Sequence, residues 1–132
     1  MNREIKFRGK HSNKWIYGYL LKSIDDNKYY ISVSLDQFYQ VKEETVGQYT
    51  NLKDKNGVEI YEGDILETCE NYGIGECWLR YEVKYEKQLA QFVLFPIIEN
   101  GTYNSNNWNI PIYEYHEQAR EVIGNIYENE VD

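Results

Sequence analysis

Two histidines are the side chains of this sequence best suited to proton transfer near neutral pH, because imidazole titrates there. His11 falls in a predicted turn, where a solvated ring is expected. His116 lies between Glu114 and Glu117, and nearby carboxylates favour the charged imidazole. Neither histidine has a serine or cysteine nucleophile that the sequence places beside it, and a metal would need at least three converging donors. We therefore expect solvated rings, and we predict no catalytic residue, no metal and no cofactor.

A group of acidic side chains near the middle of the chain invites a second reading, as a paired-carboxylate or calcium site. The group lacks the regular oxygen-donor spacing of an EF-hand loop. Gly73-Ile74-Gly75 likewise lacks the Lys-Ser/Thr ending of a phosphate-binding loop. We interpret both segments as turns, and we expect that the protein is not an enzyme. The acidic residues in question are Asp54, Glu59, Glu62 and Asp64.

Two cysteines, Cys69 and Cys77, flank a segment centred on Gly73. A hairpin that turns at Gly73 would set the two thiols opposite each other across the strands, which would allow a disulfide. In a reducing compartment such a pair is more often two free thiols, and the chain has no further cysteine to complete a zinc site. We expect free thiols, and the sequence leaves open whether they ever pair.

Basic side chains are concentrated at the start of a chain whose net charge is −8. Residues 1–28 carry a net charge of +4, so the other residues together carry −12. An acidic surface repels the phosphate backbone, which disfavours nucleic acid as a partner unless the basic segment forms a local patch. In that alternative the cations contact phosphates and Trp15 or Tyr17 stacks on bases. The candidate cations are Arg3, Lys6, Arg8, Lys10 and Lys14. The simpler interpretation is the wet face of an ordinary strand pair.

The length of 132 residues predicts a single domain, residues 1–132, whose core needs neither metal nor disulfide. Aromatic residues make up 16% of the chain, a composition that suits pleated strands. We attribute the 14 tyrosines to a core with wet rims, with an interface of anchoring rings as the alternative. Neither an apolar leader nor a run of about eighteen apolar residues is present, so we expect a soluble, cytoplasmic protein.

Period-two alternation predicts short strands along most of the chain. In the predicted opening hairpin, Trp15, Tyr17, Tyr19 and Leu21 share one face of the second strand. Residues 51–57 and 100–109 have the polar composition of loops, and residues 113–120 allow one or two helical turns. Six to nine short strands predict a mainly β protein, a small barrel or roll. The further predicted strands are residues 29–33, 38–41, 46–49, 60–66, 78–85, 91–95 and 122–127.

Glycines punctuate these strands at positions that predict sharp changes of direction. Gly47 and Gly63 lie inside apolar runs, where a chain bulges, bends or begins a strand. Asn56-Gly57 supplies residues that tolerate positive φ in a turn, and Asp64 follows Gly63 where its carboxylate can accept from nearby amides. Gly124 repeats the pattern near the end of the chain.

Three segments, in this order and spacing, resemble the YopX family of small proteins encoded by bacteriophages and prophages. They are residues 3–10 followed by Trp15 and Tyr17-Gly18, then residues 44–66, then residues 121–128. The resemblance implies an SH3-like β-barrel or roll with extra strands and at most short helical turns. It implies no reaction, because no activity is established for the family, and it supplies no catalytic residue. Glu130 stands where relatives often have proline after the closing Tyr-Glu-Asn.

We therefore expect a non-enzymatic protein–protein interaction module that binds a host or phage protein through exposed aromatic rings and a strand edge. Self-association through the same features would make a homo-oligomer. The alternative is a nucleic-acid-binding module that uses the basic N-terminal hairpin, or an acidic mimic of DNA that occupies a host DNA-binding protein. The partner, the oligomeric state and the stage of the phage cycle are not encoded in any motif that we recognise.

Overall fold

A computed structural model describes residues 3–71, 76–97, 110–111 and 120–128 of the protein, and strands dominate these ranges. The mainly β prediction is confirmed, and the described ranges contain a single short 3₁₀ turn, Glu43–Thr45, and no α-helix. The strands number eleven in the described ranges, more than the six to nine expected. They are β1 (Phe7–His11), β2 (Lys14–Lys22), β3 (Tyr29–Ser34), β4 (Gln37–Val41), β5 (Gly47–Lys53), β6 (Glu59–Tyr61), β7 (Asp64–Asn71), β8 (Glu76–Glu86), β9 (Gln91–Ile97), β10 (Ile110–Pro111) and β11 (Arg120–Asn125).

The chain forms two compact units, Met1–Asn51 and Leu52–Asp132. In the first unit the strands are hydrogen-bonded in the order β4-β3-β2-β1-β5, all antiparallel where their pairing is described. The predicted opening hairpin is confirmed, with Arg8 paired to Tyr17 and Lys10 paired to Trp15. A small core of Ile16, Ile31 and Val41 lies on one side of these strands.

The end of β4 folds back to the end of β1 within the first unit. The backbone N–H of Lys42 donates to the carbonyl of Lys10 at 3.0 Å. The Thr45 hydroxyl links the same two strand ends, because it donates to the Lys42 carbonyl at 2.7 Å and accepts from the Lys10 N–H at 2.8 Å. These few bonds bring β4 beside β1 without a regular ladder, and in the described ranges neither strand order closes into a barrel.

The second unit contains a sheet with the antiparallel order β10-β9-β8-β7-β11. Its core consists of five buried residues, with Leu52, Phe92 and Val122 packed against them. The end of β5 and the short β6 form a hairpin in this unit, closed by the Asp54 N–H donating to the Val58 carbonyl at 2.8 Å. The buried core residues are Ile60, Leu66, Tyr81, Val83 and Leu94.

The prediction that Cys69 and Cys77 face each other was wrong at the level of the backbone. In the β7–β8 ladder, Cys69 pairs with Trp78 and Cys77 pairs with Glu70, so the two cysteines are one position out of register. A turn centred exactly on Gly73 would have required Cys69 to pair with Cys77. The tripeptide Gly73-Ile74-Gly75 lies outside the described residues.

The predicted loop at residues 51–57 begins too early, because β5 continues to Lys53. Asn51 has a positive φ of 68°, yet its side-chain amide replaces a backbone peptide group. Its Oδ1 accepts from the Glu4 N–H at 2.9 Å and its Nδ2 donates to the Glu4 carbonyl at 2.8 Å. These two hydrogen bonds let β5 continue through Asn51 in spite of its positive φ. The polar composition of residues 51–57 does not predict such side-chain bonds.

Several other predicted segments lie outside the described residues. These are the loop at 100–109 and the helical turns at 113–120, apart from Arg120, which begins β11. No helix in the described ranges is long and apolar enough to cross a membrane.

Candidate functional site

Five large apolar or aromatic side chains stand on one side of β2, β3 and β4, and we call this set the aromatic face. It arises from the predicted alternation in β2, because Tyr17, Tyr19 and Leu21 occupy every second position. The ladders extend it sideways, since Tyr19 pairs with Ser32, which pairs with Phe38, and Leu21 pairs with Tyr30. The aromatic face therefore consists of Tyr17, Tyr19, Leu21, Tyr30 and Phe38.

The aromatic face is open to solvent to an unusual degree for such large side chains. Tyr19 is 68% exposed, Phe38 is 51% exposed and Tyr17 is 45% exposed. Ile24, in the turn after β2, is 98% exposed. Large apolar side chains that are exposed together on one face mark interaction sites more often than isolated exposed residues do. The preferred interpretation of the tyrosines, as rims of a core, does not account for these rings.

A groove of about 480 Å³ opens at the end of the aromatic face beside the turn after β2. Its walls are mostly apolar, and Lys22 supplies the charge among its lining residues. The residues that line the groove are Leu21, Lys22, Ser23, Ile24, Tyr30 and Phe38.

The Tyr30 ring in this groove is fixed at its outer end by Asp26. The Tyr30 hydroxyl donates to Asp26 Oδ2 at 2.6 Å, and the Lys28 N–H donates to Asp26 Oδ1 at 2.9 Å. The bond from Tyr30, followed by that from Lys28, lowers the pKa of the Asp26 carboxyl, while the same carboxylate raises the pKa of the Tyr30 hydroxyl. Asp26 is therefore charged at neutral pH and holds the ring in place.

The predicted basic residues are brought largely to one side of the first hairpin, but they already contact aromatic rings. The Arg8 guanidinium lies 4.4 Å from the centre of the Trp15 ring, and Lys10 Nζ lies 5.3 Å from it. Lys6 Nζ lies 5.3 Å from the Tyr49 ring and 3.5 Å from Glu4 Oε1. Stacking of a base on Trp15 would compete with these cation–π contacts.

The remaining predicted cations are separate from this group. Lys14 pairs with His11 in the hairpin ladder and so faces the other side of the sheet from Trp15. Arg3 precedes the first strand and is exposed. Arg8, by contrast, is buried, which removes it from the set of residues that can reach a phosphate in solution. The sequence predicted that Trp15 and Tyr17 share one face of β2, but it could not show which of the five cations lie on that side or which of them are accessible.

His11 serves the fold at the junction between β1 and β4. Its Nδ1 lies 2.8 Å from the Gln40 carbonyl oxygen, and because that oxygen can only accept, Nδ1 carries the proton. The His11 ring also meets the Tyr39 ring edge-on, with 5.6 Å between their centres. Together with the Lys42–Lys10 bond, this contact covers the last part of the outer side of β4. A partner strand could not add to the whole length of β4.

Two of the central acidic residues, Asp54 and Asp64, accept hydrogen bonds from backbone N–H groups. Asp54 is buried; its Oδ1 accepts from the N–H groups of Asn56 and Val58, both at 2.8 Å, and its Oδ2 accepts from the Val122 N–H at 2.9 Å. The Lys55 N–H donates to the Arg120 carbonyl at 3.1 Å. We call residues 54–58 the strap, because they cover the outer side of β11.

The strap is the turn that Asn56-Gly57 predicted, with Gly57 at φ 82° and its N–H donating to the Asp54 carbonyl at 3.0 Å. Asn56 Nδ2 adds a contact to Glu121 Oε1 at 3.3 Å, and Lys55 Nζ lies 3.6 Å from Glu121 Oε2. Sequence reasoning missed the role of Asp54 as the acceptor that joins the strap to β11. An Asp two residues before Asn-Gly was the available signal, since such a carboxylate can cap a turn.

Gly63 and Asp64 make the predicted turn into β7. Gly63 has φ 93°, donates its N–H to the Val83 carbonyl at 2.8 Å and accepts at its own carbonyl from the Ile126 N–H at 3.0 Å. Asp64 Oδ2 accepts from the Tyr61 N–H at 2.7 Å. The carboxylate is therefore used in shaping the turn, as the sequence suggested.

The other two glycines of the motif lie at the start of one strand and at a bulge in another. Gly47 is buried at the start of β5, where it pairs with Arg8. Gly124 follows a shift of register in β11, between Val122 and Gly124. A bulge at this glycine agrees with the prediction that glycine marks a bend in a strand.

The described ranges contain no group of three His, Cys, Asp or Glu side chains placed to hold a metal ion. His116, the histidine of the one candidate cluster in the sequence, lies outside the described residues. A half-buried carboxylate that sequence reasoning did not single out is Glu82 on β8, between Ile65 and Phe95 in the ladder. Burial raises the pKa of Glu82, and Lys84 opposes the shift.

Comparison with known proteins gives one family. The model of the family described as "YopX protein" matches residues 6–131, nearly the whole chain. No curated protein matches the chain.

Proposed function

The chain belongs to the YopX family, and from this premise we propose that it is a non-enzymatic interaction module that binds a host or phage protein through its aromatic face. The observation that carries the proposal is the set of exposed rings, Tyr17, Tyr19 and Phe38, standing beside an apolar groove. Tyrosine rings and aliphatic pockets provide the anchors of protein interfaces. The origin of the protein in a phage or prophage and its place in the cytoplasm are parts of the same proposal.

The proposal favours the aromatic face over a strand edge. The outer side of β4 is partly covered through His11 and Lys42, and the strap covers β11. Main-chain pairing with a partner needs a free row of N–H and C=O groups, which these contacts interrupt. The SH3-type roll implied by the family likeness is also a proposal, supported by the return of β4 to β1 in the first unit.

That the protein catalyses no reaction is supported by the use of its central carboxylates. Asp54 and Asp64 accept hydrogen bonds from backbone N–H groups and are buried, so they are committed to holding turns. A general acid or base must instead reach the proton of a substrate.

Affinity capture from a lysate of the bacterial host, with and without phage infection, tests the proposal. Three baits are used: the wild-type chain, the variant Tyr19→Arg and the control Tyr85→Arg, which replaces an exposed tyrosine of the second unit. We expect a defined protein that wild type and control retain and that Tyr19→Arg loses. Retention of the same proteins by all three baits, or of none by the wild type, would remove the support for this function.

The second candidate function is nucleic-acid binding by the basic hairpin. Its favouring observation is that Arg8, Lys10, Trp15 and Tyr17 lie on one side of β1 and β2. The burial of Arg8 and the net charge of −8 weigh against it. A mobility-shift assay at low salt with single-stranded and duplex DNA decides this candidate, and competition of a captured partner by duplex DNA would reveal a DNA mimic.

A further inference from the structure

We propose that the first partner of the aromatic face is the aromatic face of a second copy, in a two-fold symmetric dimer with β2 of each chain crossing over β2 of the other. This inference rests on the proposed function and names the chain itself as one occupant of the surface. Isologous contacts of this kind are the commonest way in which soluble proteins associate.

The area of the aromatic face suits a dimer. A whole aromatic side chain presents ~150–250 Å², so the exposed parts of the face, with Ile24 added, offer on the order of 600 Å² per copy. A standard stable interface covers about 800 Å² per partner. Two polar residues add to this area, since Ser32 lies between Tyr19 and Phe38 in the ladder and exposed Gln40 pairs with Tyr30 at the edge of the face.

The positions along β2 make the face complementary to itself. When the two-fold axis passes near Leu20, Tyr19 of one copy stands over Leu21 of the other, and the reverse contact forms at the same time. Tyr19 has the most exposed ring of the face, and Leu21 forms the wall of the 480 Å³ groove. The protruding ring of Tyr19 and the groove beside Leu21 are thus two positions apart on β2. A two-fold axis midway between these positions places each Tyr19 over the Leu21 of the other copy.

The distribution of charge also favours a second copy at this face. Two chains of net charge −8 repel each other, and contact costs least where carboxylates are absent. No strand position on the aromatic side of β1 to β4 is Asp or Glu, and the Asp26 carboxylate, which lies at the edge of the face, accepts a hydrogen bond from the Tyr30 hydroxyl. These positions are Arg8, Lys10, Trp15, Tyr17, Tyr19, Leu21, Tyr30, Ser32, Phe38 and Gln40.

The two ends of β2 differ in charge, and a two-fold axis sets unlike ends together. The turn before β2 is bounded by His11 and Lys14, whereas the turn after it contains Asp25 and Asp26 together with Lys28. The antiparallel crossing brings the basic turn of one copy toward the mixed turn of the other. A parallel crossing would place the two basic turns side by side.

Sedimentation velocity of the purified full-length chain across a wide concentration range tests the dimer. We expect the wild type and the control Tyr85→Arg to dimerise, and Tyr19→Arg to weaken the dimer by at least about tenfold, as expected for a central anchor residue. Tyr85 is an exposed residue of the second unit and does not belong to the aromatic face, so its replacement adds the same charge without changing a residue of the face. Phe38→Ala provides a second variant of the face should Tyr19→Arg lose its circular dichroism spectrum.

A paired substitution tests the register of the crossing. Leu21→Glu alone should also abolish the dimer, whereas Tyr19→Arg combined with Leu21→Glu should restore it, because Arg and Glu then meet across the axis twice. A wild type that stays monomeric at every concentration would overturn the inference, and so would dimers insensitive to Tyr19→Arg. If the wild type does not dimerise but still captures a different protein, and Tyr19→Arg loses that protein, this inference is overturned and the proposed function stands.

Discussion

The carboxylate of Asp54 accepts a hydrogen bond from the backbone N–H of Val122 at 2.9 Å, across 68 positions of sequence. The first residue belongs to the central glycine-punctuated segment and the second to the closing segment. The two segments that best identify the family are therefore joined in the second unit by a buried carboxylate. This hydrogen bond is part of the contact between the strap and β11.

Asp54→Asn should lower the free energy of unfolding by about 2–3 kcal/mol, the range for losing hydrogen bonds to a charged acceptor in a buried place. The variant keeps the shape of the side chain but turns one acceptor oxygen into a donor, which must face a backbone N–H. Urea unfolding followed by fluorescence measures the change. Asp36→Asn is the matched control, since exposed Asp36 accepts from the Ser34 hydroxyl in a turn. Equal, small effects of both substitutions would show that the strap is not held by Asp54.

Gly18→Ala should be far more damaging than Gly57→Ala. A Cβ at Gly18 would run into the backbone carbonyl of Ser32, which cannot move without breaking the pairing of β2 with β3. A Cβ at Gly57 meets nothing within 4 Å, so that substitution costs only the strain of a left-handed φ, about 1–2 kcal/mol.

Thermal unfolding by circular dichroism compares these two glycine variants. We expect Gly57→Ala to fold with a lowered Tm and Gly18→Ala to lose the native spectrum or its cooperative transition. A Gly18→Ala protein as stable as Gly57→Ala would mean that β2 and β3 do not approach as closely as described.

Glu82→Gln should stabilise the protein near pH 7 by roughly 0.5 kcal/mol, the usual size of a change at a partly exposed site. The pKa of Glu82 is raised in the folded state because burial penalises the charged form. The folded state therefore holds this proton more tightly than the unfolded state, and the stability that the proton confers is present below the ordinary pKa and lost as pH rises through the raised pKa.

Urea unfolding at pH values from below 4.5 to 7 measures this effect, 4.5 being the ordinary pKa of the Glu82 carboxyl. The difference between Glu82→Gln and wild type should be near zero at the acid end and grow toward neutral pH. Glu44→Gln, which removes the same charge from an exposed position, should show no such growth. A gain that shrinks as pH rises would contradict the assignment.

Asn51→Asp should destabilise the first unit by about 1 kcal/mol, since it removes the donor that serves the Glu4 carbonyl. The charged carboxylate would also face the Glu4 carbonyl oxygen, whereas its protonated form can donate to it, so the loss should be greater at neutral than at acid pH. Hydrogen exchange of the Glu4 amide reports the contact directly. Asn13→Asp in the exposed turn before β2 is the control, and equal exchange in both variants would exclude the role given to Asn51.

Much of the fold could be predicted from local patterns. Alternation in β2 and β8 gave their faces and approximate bounds, and Asn56-Gly57 gave the turn of the strap, because each of these signals acts within a few residues. The positive φ of Gly63 and the bulge at Gly124 also follow from glycine alone.

The features that escaped prediction depend on partners far away in sequence. The sequence predicts a loop at Asn51 because its contact with Glu4 spans 47 positions. It likewise predicts only a turn near Asp54 because the contact of Asp54 with Val122 spans 68 positions. The same limit applies to the candidate site, since the sequence placed Arg8 and Trp15 on one face but could not show that Arg8 is buried. The exposure of Tyr19 and Phe38 likewise depends on what the rest of the chain leaves uncovered.

The strap has a consequence for the order of events during synthesis. Residues 54–58 leave the ribosome before Val122 has been synthesised. Asp54 Oδ2 therefore stays hydrated and lacks the Val122 N–H donor until 68 further residues have been added. The strap can therefore form its hydrogen bonds to β11 only after β11 has emerged from the ribosome. Ribosome-stalled fragments that stop short of β11 should remain sensitive to protease in the strap, and the finished protein should not.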